Sequence, residues 1–475
     1  MSHERLNRQQ RHITERIIIK GTLVMDTPTC LGNGDADGPT DLMLLRDSIS
    51  SKALLTGASI AGALRNYVHE YEHGYGQDEG VNSLATGLFG GRRKDEDGAQ
   101  SPLIIHDAIS SEVPKVELRD GVRIDITTGT AADKAKYDLE LLAAGTEFPL
   151  CFELLIEKEQ DKNRLLEALT IALQGLENYE IGIGMKKRRG FGCCHVKKWQ
   201  IWHFHLKNAK ERLAWLTLDR EWSQHIQPPA AGKITEIFNI TLRSDRRCRF
   251  WIEATFKLLG SLLIRSGQAS TKPVPDVVHL KSLREDKEEP ILSATSLTGV
   301  LRHRAEKIVY TFGNYKKIIN DIFGMVDEES KEALSSRLIV HESIIKSTTE
   351  LVQNRIAIDR FTGGAYHGAL FDEQPIFGNE DTQITIYLEL HQPSDSEIGL
   401  LLLLLKDLWT SDLSVGGESS IGRGRLQGIK AEMRRYTPDI GKETWEISQD
   451  GNNLKISKAQ MLESFVNNFI KEIKL

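Results

Sequence analysis

Cysteine is scarce, with 5 in 475 residues, and two of the five are adjacent at Cys193 and Cys194. No disulfide framework can be built from that set, and a reducing, cytoplasmic location is expected. Long hydrophobic runs are lacking too. The longest of consequence, Leu400 to Leu405, falls far short of the ~20 apolar residues that span a bilayer, so it is read as a core helix segment and no membrane partner is expected. The basic N-terminal stretch contains no apolar run of the kind a secretory leader needs, which argues against secretion. A basic excess is missing as well: the net charge is −6. A polyanion partner is still possible, because bases are clustered at Lys186, Lys187, Arg188 and Arg189, at Arg243, Arg246, Arg247 and Arg249, at Arg423 and Arg425, and at Arg434 and Arg435. Taken singly, such a cluster is more often solvated surface.

What the chain does have is a repeat. The stretch 41–65, DLMLLRDSISSKALLTGASIAGALR, returns at 276–304 as DVVHLKSLREDKEEPILSATSLTGVLRHR. Each copy opens on an Asp, Asp41 or Asp276, with a base five residues on, Arg46 or Lys281. Ser59, Gly62 and Arg65 then match Ser296, Gly299 and Arg302. Phe89 and Gly90 match Phe323 and Gly324, LIIHD at 103–107 matches LIVHE at 338–342, and Ile124, Asp125 and Gly129 match Ile358, Asp359 and Gly363. Gly182 and Gly190 are paired with Gly416 and Gly424. The offsets all fall between 234 and 237 residues, and an ordered set at nearly constant offset indicates a duplicated domain, not a short-period solenoid. With 40% hydrophobic residues each copy is long enough to bury its own core. The PPAAG run at 228–232 reads as the linker, giving domains 1–227 and 228–475.

Within each copy the order of elements is strand, helix, strands, helix, strand, which predicts an α+β sandwich of the ferredoxin-like kind. The first copy reads as a strand at 17–24, a polar loop at 30–40, a helix from Ser59 capped by that serine, strands near 103–106, 122–129 and 147–156, and a helix at 165–179. Free amides at the helix start would favour an anion above the Asp41 loop. In 179–194 glycines punctuate the four bases Lys186, Lys187, Arg188 and Arg189, and 415–426 carries Gly416, Gly422, Arg423 and Gly424. Glycines let amides approach a phosphate chain and bases neutralise it; as plain turn formers they would need no ligand. His106 and His341 recur inside apolar strands and read as structural. Cys193, Cys194 and His195 lack the second spaced pair of a metal motif.

The Asp loop followed by ASIAGALR or TSLTGVLRHR, the IDRFTGGA element at Ile358 to Ala365, and the Gly-rich segment closing each half resemble the backbone subunits of type III CRISPR effector complexes, of the repeat-associated mysterious protein (RAMP) superfamily. The two-copy chain resembles the fused double subunit of type III-D variant complexes. That resemblance implies two tandem RNA-recognition-motif-like domains with thumb-hairpin insertions, stacked on a crRNA guide beside other subunits. It also implies that a loop Asp cleaves the target RNA where the thumb displaces a nucleotide, and this role falls on Asp41 and Asp276. Ile126 stands where the second thumb has Arg360, a departure in the first copy. Asp35, Asp37 and Asp47 are further acids of the first loop; the spacing to Arg46 and Lys281 favours Asp41.

RNA carries its own nucleophile, so aligning a 2′-OH with the scissile phosphorus and stabilising the added charge suffices for cleavage. One Asp could hold Mg²⁺ or another divalent cation together with substrate oxygens and water. Expected RNA contacts are Arg46, Ser59, Arg65, Lys186, Lys187, Arg188, Arg189, Gly190, Lys281, Ser296, Arg302, Arg360, Gly416, Gly422, Arg423 and Gly424; for Arg65 and Arg302 a helix-surface salt bridge is an equal alternative. The competing readings are a non-catalytic guide scaffold and a standalone guide-processing RNase.

Overall fold

The computed structural model describes residues 12–34, 42–80, 82–91, 99–124, 131–217, 230–266, 275–313, 316–326, 333–451 and 453–474. In the first half the β-branched run at the start forms β1 (Ile13–Met25), followed by α1 (Gly57–His73), β2 (Leu103–Ile105), a hairpin of β3 (Val116–Ile124) and β4 (Ala131–Leu142), then β5 (Glu147–Glu157), α2 (Lys162–Glu177), β6 (Cys194–His205) and β7 (Ala230–Gly232). The sheet order is β2-β5-β1-β6-β7, antiparallel at every junction. β1 and β5 alternate burial, placing Ile17, Ile19, Leu23, Phe148, Leu150, Phe152 and Leu154 under the helices with Leu64, Val68, Leu169 and Leu173.

The second half repeats this plan. Its main elements are β8 (Arg249–Leu259), β9 (Lys281–Arg284), α3 (Ala294–Phe312), β10 (Leu338–Val340), a hairpin of β11 (Gln353–Ile358) and β12 (Ala365–Gln374), β13 (Ile376–His391), α4 (Asp395–Trp409), β14 (Arg425–Thr437), β15 (Gly441–Asp450) and α5 (Ala459–Lys474). The run β10-β13-β8-β14 is antiparallel and matches β2-β5-β1-β6 strand for strand. Each half has its own hydrophobic core. The apolar run at 400–405 does lie in a core helix: a Ser394/Glu397 capping box starts α4, and its far side receives Phe465 and Phe469 of α5. A Cβ on Gly399 would stand 2.2 Å from the Phe465 carbonyl, so only glycine permits this helix approach. Among the described residues, no helix is long and apolar enough to cross a membrane.

The expected boundary at 227/228 needs correction. Ala230 to Gly232 is an edge strand pairing with Trp199 to Ile201, Ile234 donates its amide to Glu177 at 2.7 Å, and Ile237, Phe238, Ile240 and Leu242 pack on the first core. A short Ala/Gly-rich run can close a sheet edge as readily as it can link domains, and here the first half continues through Leu242. Residues 243–248 make the crossing, held by Arg247, which pairs with Glu180 and Asp245 at 2.7 Å each and lies over the Tyr67 ring at 4.4 Å.

His391 joins the halves. Its ring stacks on Tyr75 at 3.9 Å, its Nδ1 accepts from Arg188 at 2.9 Å, and its Nε2 donates to Glu389 at 3.0 Å. That arrangement requires the neutral ring, and burial, aided by the Arg188 charge, lowers its pKa against the pull of Glu389. Burial likewise lowers His341 and takes His279 from 6.5 to about 4. A depressed histidine contributes stability that is full above the unfolded value and is lost as pH falls toward the folded one. The melting temperature is therefore expected to drop as pH falls from 6.5 toward about 4, with a shallower drop in His279→Phe; a flat profile would contradict this.

Candidate nucleic-acid interface

Both hairpins stand out from their sheets and carry exposed apolar side chains. On the second, Ile356, Ile358, Tyr366 and Leu370 are exposed and Phe361 at the tip is 99% exposed. The first shows Val116, Leu118, Val122 and Ile124 in the same way. Such rows, in an otherwise well-buried chain, mark contact surface. The second tip is a built turn: the Asp359 carboxylate accepts the Phe361 and Thr362 amides at 2.8 Å each, and these bonds hold its pKa down. Arg360 is exposed beside Phe361. Ile126, Asp125 and Gly129 lie outside the described residues.

Asp276 sits at the root of the second hairpin. It is exposed, and its Oδ2 accepts the Asp372 amide of β12 at 3.0 Å. The next residue, Val277, pairs in parallel with Glu373 of β12. In the first half Leu42 pairs in parallel with Leu139 of β4, so the same loop meets the same hairpin strand in both copies. Asp41, with Asp35 and Asp37, lies outside the described residues, but it immediately precedes Leu42. Asp47 is occupied as a turn former, accepting the Ser50 amide at 2.7 Å and hydroxyl at 2.6 Å. Arg46 donates to the Ser51 carbonyl at 3.1 Å, and Lys281 pairs with Glu350 at 2.7 Å.

The helix starts differ from the expectation by one turn of sequence. Thr56, not Ser59, caps the first helix, and Ser293 caps the second; their hydroxyls accept the Ser59 and Ser296 amides at 3.3 Å. Asp107 takes the Gly57 amide at 2.7 Å, so an acid of this chain already uses that helix start. Arg65 forms a two-pronged pair with Glu79, with Nη2 at 2.9 Å. Arg302 donates to Glu306 at 3.2 Å and to the Gly324 carbonyl at 3.1 Å. Both guanidinium groups thus have partners in the chain alone.

The Gly-rich turns correspond at an offset of 232, not 234. Lys186 and Glu418 both take left-handed conformations, each starts a short 3-10 turn, and Gly190 and Gly422 close those turns. Gly192 and Gly424 match in the same frame: an added Cβ would lie 1.9 Å from the Ile183 carbonyl and 1.8 Å from the Val415 carbonyl. The bases 186–189 therefore face Glu418, Ser419, Ser420 and Ile421 in the second copy, and the basic turn is not duplicated. Arg423 matches Phe191 and is buried, donating to Glu418 at 2.5 Å and to Glu373 and Gln353 at 3.0 Å each. It ties the turn to the hairpin base. Gly416 has its Cα against the Leu263 carbonyl, where a Cβ would approach to 2.7 Å.

The first turn docks on the second half. A Cβ at Gly190 would lie 2.8 Å from the Glu342 amide and 3.0 Å from the Ala294 Cβ at the start of α3. Lys186 Nζ is 3.8 Å from the centre of the Tyr137 ring on β4. Burial and the neighbouring Arg188 lower Lys187. Arg189 is half-buried, and burial and the Arg302 charge lower its pKa. Its buried Nη1 has no hydrogen-bond partner among the described residues. Two guanidinium groups with an unsatisfied N–H at a domain junction form an anion-ready arrangement.

Sequence reasoning missed the group that fixes the first hairpin. Arg119, 5% exposed, pairs with Glu117 at 2.8 Å and with Glu342 of the second half at 3.2 Å. Arg284 reaches Glu342 at 2.5 Å, and Glu117 accepts the Ser282 hydroxyl at 3.0 Å and the Leu283 amide at 2.8 Å. The signal was present in VELRDGV, where charged residues alternate with apolar ones, but the charged side faces inward. Around Cys193 to His195, burial raises the Cys193 thiol to about 11 and His195 takes Asp26 at 2.9 Å; no three-ligand group forms there among the described residues. Removing one member of a buried charge network typically costs about 3–5 kcal/mol, so Arg119→Ala should lower the denaturant midpoint markedly while Lys115→Ala, in an exposed pair with Asp286, should leave it nearly unchanged. Equal effects would show that the network does not join the halves.

A family model described as the RAMP superfamily matches residues 22–195 and 255–427, more than half of the chain and once in each copy. No curated protein matches the chain.

Proposed function

Because this chain belongs to the RAMP superfamily and so has a CRISPR-associated RNA-binding role, we propose that it is a crRNA-binding backbone subunit of a type III effector complex in tandem double form. Its halves are two ferredoxin-like domains, and Asp41 and Asp276 each promote cleavage of the target RNA at a displaced nucleotide. The observation that carries this reading is the placement of an exposed carboxylate, Asp276, at the root of a hairpin whose fully exposed Phe361 and neighbouring Arg360 project outward. A guide–target duplex crossing that hairpin would be held at the tip by Phe361 and would lose stacking at the root, at Leu370 and Phe371, where the freed nucleotide would lie toward the Asp loop. Aromatic stacking on unpaired bases is worth roughly 1–3 kcal/mol each, enough to offset one broken pair. Arg189, with its unsatisfied N–H, and Arg302 suit a guide phosphate at the junction. Five free thiols fit work in the cytoplasm.

The donor set at Asp276 fits a loosely held Mg²⁺, which commonly takes one or two carboxylates and completes its shell with substrate oxygens and water. Bound there, it would supply charge stabilisation for the phosphoryl oxygens. The chain's own part is positional. The Asp372 amide fixes one carboxylate oxygen, and the other has no partner among the described residues; the hairpin holds the displaced nucleotide so that its 2′-OH lines up with the phosphorus.

A second reading, a guide scaffold without cleavage, draws on the same hydrogen bond, since an Asp held by one amide is also a common loop-stabilising element. The assembled complex with Mg²⁺ and a matched target separates the two. Asp276→Ala is expected to remove one set of cuts, Asp41→Ala the other, each by roughly 100-fold or more, with guide and target affinity nearly unchanged because phosphate contacts dominate binding. Retention of all cuts in the double variant leaves the scaffold reading. Arg189→Ala should weaken guide binding for every sequence and flatten its salt dependence by about one phosphate contact.

A further inference from the structure

Glu15, His203 and His205 form a cluster away from both hairpins, on the β1–β6 junction of the first sheet. Their ligand atoms all lie within 4.8 Å of one another, the one such three-residue group among the described residues. The geometry follows from strand pairing. Glu15 faces His205 across the β1–β6 ladder, Ile17 faces His203, and two residues apart on a strand both imidazoles leave from one face. Glu15 Oε2 lies 2.5 Å from His203 Nε2 and 3.7 Å from His205 Nδ1. The two rings sit 4.2 Å apart. Their footing is firm, since Glu211 accepts the His205 amide at 2.7 Å and so fixes the end of β6.

We propose that Glu15, His203 and His205 form a binding site for a divalent transition-metal ion of the Zn²⁺ class. Two imidazole nitrogens and one carboxylate oxygen suit such an ion and not Mg²⁺, which prefers oxygen alone. With bonds of about 2.0–2.1 Å, tetrahedral ligands lie about 3.3 Å apart, so the two carboxylate–imidazole separations need to change by less than about 1 Å, and the imidazole–imidazole one, within 4.8 Å, by no more than about 1.5 Å. Both imidazoles are exposed and Glu15 is half-buried, which leaves the rings room to turn and a fourth position open to water. Lys162, the first residue of α2, holds the cation's place: its Nζ is 2.6 Å from the same Glu15 oxygen. An ion entering the site displaces that ammonium, and in doing so it ties β1 to β6 directly.

The test uses the full chain without an affinity tag. Zn²⁺ titration by calorimetry, with Mg²⁺ as control, should give one equivalent bound, weakened about tenfold or more by His203→Ala or His205→Ala. Lys162→Gln should strengthen binding, because the competing charge is gone; this change keeps the Asp161 cap of α2. Zn²⁺ should raise the melting temperature of the wild type and not of the double histidine variant. Zn²⁺ affinity that is the same in the wild type, the histidine variants and Lys162→Gln, or the absence of one-equivalent binding, overturns the proposal.

Discussion

One buried guanidinium holds this molecule's two halves in register. Arg119 lies between Glu117 of its own strand and Glu342 of the other half, and Glu342 is further gripped by Arg284. Burying charges is costly and is tolerated only where partners are complete. Here two carboxylates meet two guanidinium groups, and a hydroxyl and an amide take the remaining lone pairs. The net stability of such a network is modest, but its alternatives are poor, since any sliding of the halves would leave a buried charge unpaired. The result is geometric: the first hairpin is clamped to β9, the strand that follows the Asp276 loop. The fold thereby fixes the relation between the two halves of a tandem RAMP chain.

A second junction works by a different chemistry. The basic turn of the first half packs its Gly190 against the start of α3, while Arg188, His391 and Glu389 form a chain of hydrogen bonds that needs a neutral imidazole. Burial opposes the charge on Glu389, yet the hydrogen bond from His391 and the Arg249 charge hold its pKa down. The turn's charges are thus partly spent inside the protein. What remains for a polyanion is Arg189, whose buried Nη1 has no hydrogen-bond partner among the described residues, and the exposed Lys187 near it. A chain of net charge −6 can bind RNA along such a seam because the field is local.

The duplication, the α+β class and the order of elements were legible because several matched residues do backbone work that few others can do. The Gly-rich turns were legible only as turns. GIGMKKRRGFG and GGESSIGRG can be aligned in more than one frame, and only the left-handed positions of Lys186 and Glu418 and the contacts of Gly192 and Gly424 select the offset of 232. The caps were missed for a similar reason, since Thr56 and Ser59 both offer a hydroxyl and only backbone geometry tells them apart. Arg65 found Glu79, a partner in a stretch that carries no periodic pattern. The Glu117–Arg119–Glu342 network joins residues 223 apart in the chain, and no local pattern reports such a pairing. The Asp276 loop and its hairpin were anticipated separately; that one rests on the other is visible only in three dimensions.

The central claim is that the duplex is distorted at the hairpin above Asp276, and the most direct measurement is a structure of the assembled complex with guide and target bound. The account predicts an unpaired target nucleotide beside the Asp276 carboxylate, with the exposed Leu370 and Phe371 at the hairpin root against the adjoining base. A regular duplex passing over another face of the chain, with Asp276 and Phe361 both in solvent, would contradict it.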